Sequence, residues 1–220
     1  MKKLLLTFSL ILLATLSFAQ TLNFGIKAGA NLSTIAYSGS LPNSTVDNKY
    51  GTGYQAGVIA DIGFPQFTIQ PALFFITKGG KYAEEFDYTN FDQQTYVTHV
   101  AGSTKYNYLE LPVNFLYKLK AEPGVKIYGG GGPYVDYGLS GTSTQHATGY
   151  TTYDYSGNIS FGSDPNKDDK RLNYGVNFIA GVELQKHFTV DLNYSLGLTS
   201  IAWGITDKNR TAGLSVGYLF

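Results

Sequence analysis

RTAGLSVGYLF, residues 210–220, is the stretch whose reading decides the fold. Ala212, Leu214, Val216, Tyr218 and Phe220 fall on one side of a period-two alternation, and Thr211, Gly213, Ser215 and Gly217 fall on the other. Successive side chains of a strand point to opposite faces, so this alternation marks a half-buried strand. Such a strand needs partners on both edges and an apolar environment on one side only. It suits the closing seam of a barrel, paired with the first strand of the mature chain.

Working back from that seam, the same alternation predicts strands over 22–33, 50–62, 67–79, 106–118, 125–139, 172–184 and 188–199, which makes eight with the last. In the third, Phe67, Ile69, Pro71, Leu73 and Phe75 read as outward and Thr68, Gln70, Ala72 and Lys78 as inward, with Phe74 and Ile76 breaking the pattern. The connections at 63–66, 119–124 and 185–187 are short, and Pro123 and Gly124 are turn residues. Those at 37–49, 80–105, 140–171 and 201–209 are longer, and TYVTHV, residues 95–100, can carry one hairpin past the wall. Short connections at one end and long ones at the other are the pattern of outer-membrane barrels. With an even number of strands both termini then lie on the short-turn side, in the periplasm.

Composition agrees. The 220 residues hold 26 Gly, 18 Tyr and 14 Phe, and only 15% are charged, against roughly 25% in soluble proteins. There is no Cys, which excludes disulfides, thiolate metal sites and Cys nucleophiles. Lys2 and Lys3, an apolar run over 4–16 and small residues at Ser17 and Ala19 predict a signal peptide over 1–19, cleaved before Gln20, with one barrel domain over 20–220. Removing Lys2 and Lys3 from 16 basic residues leaves 14 against 16 acidic ones, a formal charge of −2 that gives no reason to expect nucleic-acid binding.

Alternation alone does not say which face is inside, but residue size does. An eight-stranded barrel has an interior just wide enough to be filled by side chains, and the apolar set is too bulky for it. The opposite face is mostly Gly, Asn, Thr and Ser, which suits a narrow wet lumen better than a solvent surface. The reading is therefore an all-β, eight-stranded, antiparallel up-and-down transmembrane β-barrel in a Gram-negative outer membrane. A soluble lipocalin-like carrier barrel and a narrow pore for small solutes are its rivals.

The stretches FTIQPALFFITKGG (67–80), YNYLELPVNFLYK (106–118), GGGGPYVDYGLSG (129–141) and NYGVNFIAGVEL (173–184), with the terminal GYLF (217–220), resemble the PorT-type outer-membrane β-barrel family of Bacteroidetes. YLELP is the more specific part. Ala72 stands where that family carries an acidic residue after the third-strand Pro, so any role of that acid does not transfer. The resemblance implies an integral outer-membrane protein, with some relatives linked to protein secretion. It carries over no catalytic, cofactor-binding or metal-binding residues. Phe220 resembles the C-terminal aromatic by which the barrel assembly machinery recognises its substrates.

Alternation places Lys27, Asp61, Lys78, Glu110, Lys126, Asp136, Glu183 and Asp191 inward. Unpaired burial of such groups is costly, and Lys126–Glu183, Lys78–Glu110 and Lys27–Asp61 are the pairs expected. Asp164, Asn166 and Asp168 open like a calcium loop, but Asp169 replaces its Gly and Gly175 its terminal Glu, so a solvated charged loop is expected. His99, His146 and His187 stand beside no strand Ser that would make a nucleophile, so the chain reads as non-enzymatic. Tyr82, Phe86, Tyr88, Phe91, Tyr96, Tyr150, Tyr153, Tyr155 and Phe161 fall in the connections 80–105 and 140–171, whose Tyr, Ser, Gly and Asn suit protein or glycan partners.

Overall fold

The computed structural model describes residues 21–38, 44–65, 67–89, 91, 93–164, 166–203 and 206–220. The expected signal peptide lies outside them. Among the described residues eleven strands run in chain order: β1 (Thr21–Ser38), β2 (Ser44–Gly63), β3 (Phe67–Thr89), β4 (Thr95–Glu122), β5 (Val125–Gly149), β6 (Tyr153–Ile159), β7 (Phe161–Gly162), β8 (Asp169–Lys170), β9 (Leu172–Leu184), β10 (Phe188–Gly197) and β11 (Thr206–Leu219). Eight of them close a ring in the order β1-β2-β3-β4-β5-β9-β10-β11, each antiparallel to its neighbours. The seam is the one expected, with β1 and β11 paired from Gly25↔Leu219 to Ser38↔Thr206. Phe220 extends it, its N–H donating to the Phe24 carbonyl at 2.8 Å.

Register fixes the shape of the ring. From Leu22 the paired residues run Ile62, Ile69, Phe115, Gly131, Phe178, Tyr194 and Ala212, returning to β1 at Leu32, ten residues beyond the start. Eight strands with that stagger, a spacing of ~4.8 Å and a rise of ~3.3 Å tilt by about 40° and stand about 8 Å from the axis. The lumen therefore has room for side chains and little else. Gly130 and Gly132 allow β4 and β5 to come together in this wall, since a Cβ on either would run into the carbonyl oxygen of Phe115 or Val113.

The two faces settle the environment. Phe24, Val58, Leu192 and Val216 are each more than half exposed, whereas Lys27, Asp61, Lys78, Glu110, Asp136, Glu183 and Asp191 are at most 4% exposed. This is the reverse of a soluble carrier barrel, and the lipocalin-like alternative falls with it. A polar interior and an apolar outside make sense only in a lipid solvent. In β11, Leu214, Val216 and Tyr218 lie outward and Ser215 is buried inward, as expected.

Four expectations are corrected. Phe74 and Ile76 do not break the alternation: both are buried with Lys78 on the inward face of β3. Phe74 packs with Ile59, Ala72 and Leu219, and Ile76 with Ile35, Tyr106 and Tyr108. The connection 37–49 shrinks, because β1 runs to Ser38 and β2 starts at Ser44. The connection 80–105 is mostly strand, paired from Gly80↔Thr104 to Thr89↔Thr95. The connection 140–171 is likewise largely strand, with β5 pairing β4 up to Gly149 and β6 lining its other edge. The upper ends of β2, β3, β4 and β5, with β6, thus leave the ring as a five-stranded sheet.

Candidate functional site

Among the described residues the lumen holds two ion-pair networks and a separate Lys27–Asp191 pair. In one, Lys118 Nζ donates to Asp61 and Glu183, each at 2.9 Å, while Lys126 Nζ reaches the other Glu183 oxygen at 2.6 Å. Gln70 donates to Asp61 at 3.1 Å. Lys27 pairs with Asp191 at 2.8 Å, and the Tyr128 hydroxyl donates to the same carboxylate at 2.9 Å. In the other network Lys78 Nζ donates to Glu110 at 2.6 Å and Asp136 at 2.7 Å, and lies 4.4 Å from the centre of the Tyr134 ring. All eight expected ionisable groups are inward or at the rim. Lys126–Glu183 and Lys78–Glu110 pair as expected.

Lys27–Asp61 does not form. Lys27 lies opposite Gly57 on β2, four positions from Asp61, a distance of about 13 Å along a strand. On its other side Lys27 lies opposite Gly217, which in turn faces Thr189 on β10. The side chain passes the small residues Gly217 and Ser215 to reach Asp191, one strand beyond its neighbour. Asp61 takes Lys118 instead. That lysine was absent from the expected inward set, although it shares the even-numbered face of β4 with Glu110 and Asn114.

A plug closes one end. Phe161 and Ile201, from the two connections that follow β5 and β10, pack against Ile35, Ile76, Tyr106 and Tyr108. The connections are joined by backbone: β7 pairs with β8, Asp169 bridges Ala202, and Lys170 N–H donates to the Ile201 carbonyl at 2.8 Å. Asp207 fixes the second connection by accepting from the Ser200 hydroxyl at 2.7 Å and from the Ile201 and Ala202 N–H groups at 3.1 and 3.0 Å. Burial pushes the Asp169 carboxyl up to about 6, against a hydrogen bond from Tyr106, with Asp207 and Asp168 adding to the rise. Among the described residues this apolar cluster thus lies over a salt-bridged lumen.

The five-stranded sheet has two unlike faces. On the face continuous with the lumen, register aligns Tyr82, Gly102, Gln145 and Tyr155 in one row and Glu84, Val100, Ala147 and Tyr153 in the next. The Tyr82 ring lies over Gly102, where a Cβ would collide with it, and its hydroxyl accepts from Gln145 at 2.7 Å. Tyr153 and Tyr155 are about half exposed, at 43% and 52%. Tyr96 and Tyr150 pack with ring centres 4.5 Å apart and planes tilted by 37° near the tip. Desolvation raises the Tyr82 hydroxyl from its usual range. The opposite face is charged, with His99 3.1 Å from Glu85 and His146 2.5 Å from Asp154.

These features meet in one family. The model of the outer membrane protein beta-barrel domain matches residues 18–202. The chain belongs to the outer membrane protein beta-barrel domain family. It is an integral outer-membrane barrel, and the match takes in every wall strand except β11. No curated protein matches the sequence. Among solved structures the barrel is similar to Ail of Yersinia pestis, solved in complex with the heparin analogue sucrose octasulfate, at 15% identity over 91% of this chain and 100% of that one, TM-score 0.42. It is also similar to Neisserial surface protein A, at 10% identity over 91% and 100%, TM-score 0.41, and to OprG from Pseudomonas aeruginosa, at 13% over 90% and 95%, TM-score 0.37.

Elsewhere in the barrel the residues that resembled a calcium loop are engaged locally. Asp164 Oδ1 accepts from Asn166 N–H at 2.9 Å, and Asp168 Oδ2 accepts from the Ser160 N–H and hydroxyl, each at 2.7 Å. Those donors hold the Asp168 carboxyl below its usual range. Among the described residues no group of three His, Asp or Glu is placed to hold a metal ion. His187 Nδ1 lies 2.8 Å from the Leu219 carbonyl and its ring stacks on Tyr218, so it belongs to the seam.

Proposed function

We propose that the barrel is a sealed, non-enzymatic anchor that holds the tyrosine-faced sheet outside the cell for a protein or glycan partner. The observation that carries this reading is the continuation of β2–β5, with β6, past the point where β1 pairs with β2. That pairing ends at Ser33↔Gly51, whereas β2–β3 pairing goes on to Ser44↔Phe86 and β3–β4 pairing to Thr89↔Thr95. Extending a sheet beyond its bilayer costs chain order without adding to the membrane seal, so the exposed tyrosines are its return. Tyr presents large, rigid, amphipathic contact area at low entropic cost, which suits protein and glycan surfaces alike.

The same reading includes cleavage of residues 1–19, a PorT-type membership within the broader family, both termini in the periplasm, and insertion by the barrel assembly machinery through the β11 end. Deleting Phe220 is then expected to lower the amount of folded barrel in outer-membrane fractions, and normal levels would count against that route. The role of the sheet is tested by removing 83–101, so that Tyr82 and Gly102 form a short turn, and by a Tyr153→Ser/Tyr155→Ser variant that leaves the strands intact. Cells bearing either variant should lose adhesion to glycan- or protein-coated surfaces that retain wild-type cells. Equal adhesion by both variants, at equal surface levels, would refute the reading.

A further inference from the structure

The outer surface of the wall changes character abruptly with height. Over Phe67 to Phe75 on β3 and Leu109 to Tyr117 on β4 no outward position is charged. The apolar belt ends at a hydrogen-bonded row in which Thr77 donates to Asn107 at 3.0 Å and Asn107 to Ser140 at 3.0 Å. Immediately beyond, the first charged outward residue on three consecutive strands is a lysine: Lys49 on β2, Lys81 on β3 and Lys105 on β4. On β11 the first is Arg210. The acids Asp47, Glu85 and Asp154 come only farther out.

Register draws the three lysines together. Lys49 lies directly opposite Lys81. Lys81 pairs with Ser103 while Lys105 pairs with Gly79, which makes Lys105 the diagonal neighbour of Lys81. Cross-strand partners have Cβ atoms about 5 Å apart and diagonal ones about 7–8 Å, within reach of long side chains, and like charges in those positions are destabilising. Among the described residues little relieves this set. Lys49 has only Asp47, at 3.5 Å with both side chains more than half exposed, and Lys81 and Lys105 make no ion pair among the described residues. The lipid-facing wall below them carries Tyr54 and Phe75, which stack with centres 6.0 Å apart; Lys81 stands six residues beyond Phe75 on β3, about 20 Å along the strand.

We infer that Lys49, Lys81 and Lys105 bind the phosphorylated headgroup of a membrane lipid whose chains lie against β2–β4. A phosphate group at this height would relieve the mutual repulsion, accept from several ammonium groups and leave its acyl chains on the apolar belt. The lysine stems lie along the boundary while their charges reach the headgroup layer. A free anion lacks the second half of this fit, since the site is open to water on its outer side.

Binding of a bisphosphorylated lipid A to the purified full-length barrel in zwitterionic micelles tests the inference. Micelles offer lipid to both rims, so the outcome does not depend on which end faces outward in the cell. At roughly 1 kcal/mol per lysine beside an anionic lipid, Lys49→Gln/Lys81→Gln/Lys105→Gln should bind about a hundredfold more weakly than the wild type. Its circular dichroism should remain that of a folded barrel. A Lys120→Gln/Lys186→Gln variant at the opposite rim should bind like the wild type. Dephosphorylated lipid should bind as weakly as the triple variant does, and excess inorganic phosphate should leave bound lipid in place. The inference is overturned if the folded triple variant retains wild-type affinity, if removing the lipid phosphates changes nothing, or if inorganic phosphate alone displaces the lipid.

Discussion

Replacing Lys78 by Met probes the most deeply buried charge in the barrel. Its side chain is 0% exposed and touches two carboxylates, Glu110 at 2.6 Å and Asp136 at 2.7 Å. At an effective dielectric constant of about 20, each contact is worth about 6 kcal/mol of Coulomb attraction. Desolvating three ions, at several kcal/mol apiece, takes back most of that. The wild-type cluster is therefore close to neutral in its effect on stability. Removing only the cation leaves the desolvation cost of two carboxylates with nothing to offset it, a loss of about 3–5 kcal/mol. Adding Glu110→Gln and Asp136→Asn removes those charges as well, so the triple variant should recover more than half of the loss. Urea unfolding in phospholipid vesicles, followed by circular dichroism, measures both differences. If Lys78→Met alone unfolds within about 1 kcal/mol of the wild type, or if the triple variant is no more stable than the single one, the balance described here is wrong.

Other perturbations address the plug, the wall and the lumen. Asp169 carries a carboxyl raised to about 6. The folded plug therefore binds that proton more tightly than the unfolded chain, whose Asp titrates near ~4, and the plug gains stability as pH falls from about 6 toward 4 and loses it as pH rises through 6. Trp203 lies beside the Asp169–Ala202 bridge, stacked on Lys170 at 5.0 Å, and is the single Trp of the chain. Its fluorescence should shift with a midpoint near pH 6, and Asp169→Asn should abolish the shift. Gly132→Val should lower stability by more than about 2 kcal/mol, because the added Cβ meets the Val113 carbonyl oxygen in the wall; an unchanged urea midpoint would contradict it. Planar-bilayer recordings of the pure protein should stay silent, and large stable single-channel steps would show that Phe161 and Ile201 do not seal the mouth.

The wall was legible in the sequence because a bilayer enforces the alternation. Leu214, Val216 and Tyr218 must face lipid and Ser215 must not, and the same constraint acts on all eight wall strands. Above the bilayer that constraint ends. The lipid that enforces alternation is absent around 81–89 and 95–104, so apart from TYVTHV at 95–100 these residues read as loop. Lys126–Glu183 was legible since β5 and β9 are adjacent and these residues are opposite one another. Lys27–Asp191 was not, because it crosses an intervening strand, and only the small residues on β11 make the passage possible. Nor could the plug be foreseen: Phe161 and Ile201 lie 40 positions apart and meet through tertiary packing.

The separation of β1 from β2 above Ser33↔Gly51 makes reach an adjustable quantity. Below that point the length of each strand is set by the ring, where a lost residue would shift the register all the way round. Above it β2–β6 answer only to their own pairing, from Ser44↔Phe86 between β2 and β3 to Thr98↔Gly149 between β4 and β5. From Gly80 to Thr89 the β3 strand adds ten residues, nine steps of ~3.4 Å or about 30 Å of contour. Residues can be added or removed in facing pairs there without altering the stagger of the wall. The height at which the tyrosine face is displayed can therefore change, to clear whatever coat covers the cell, while the membrane seal stays the same.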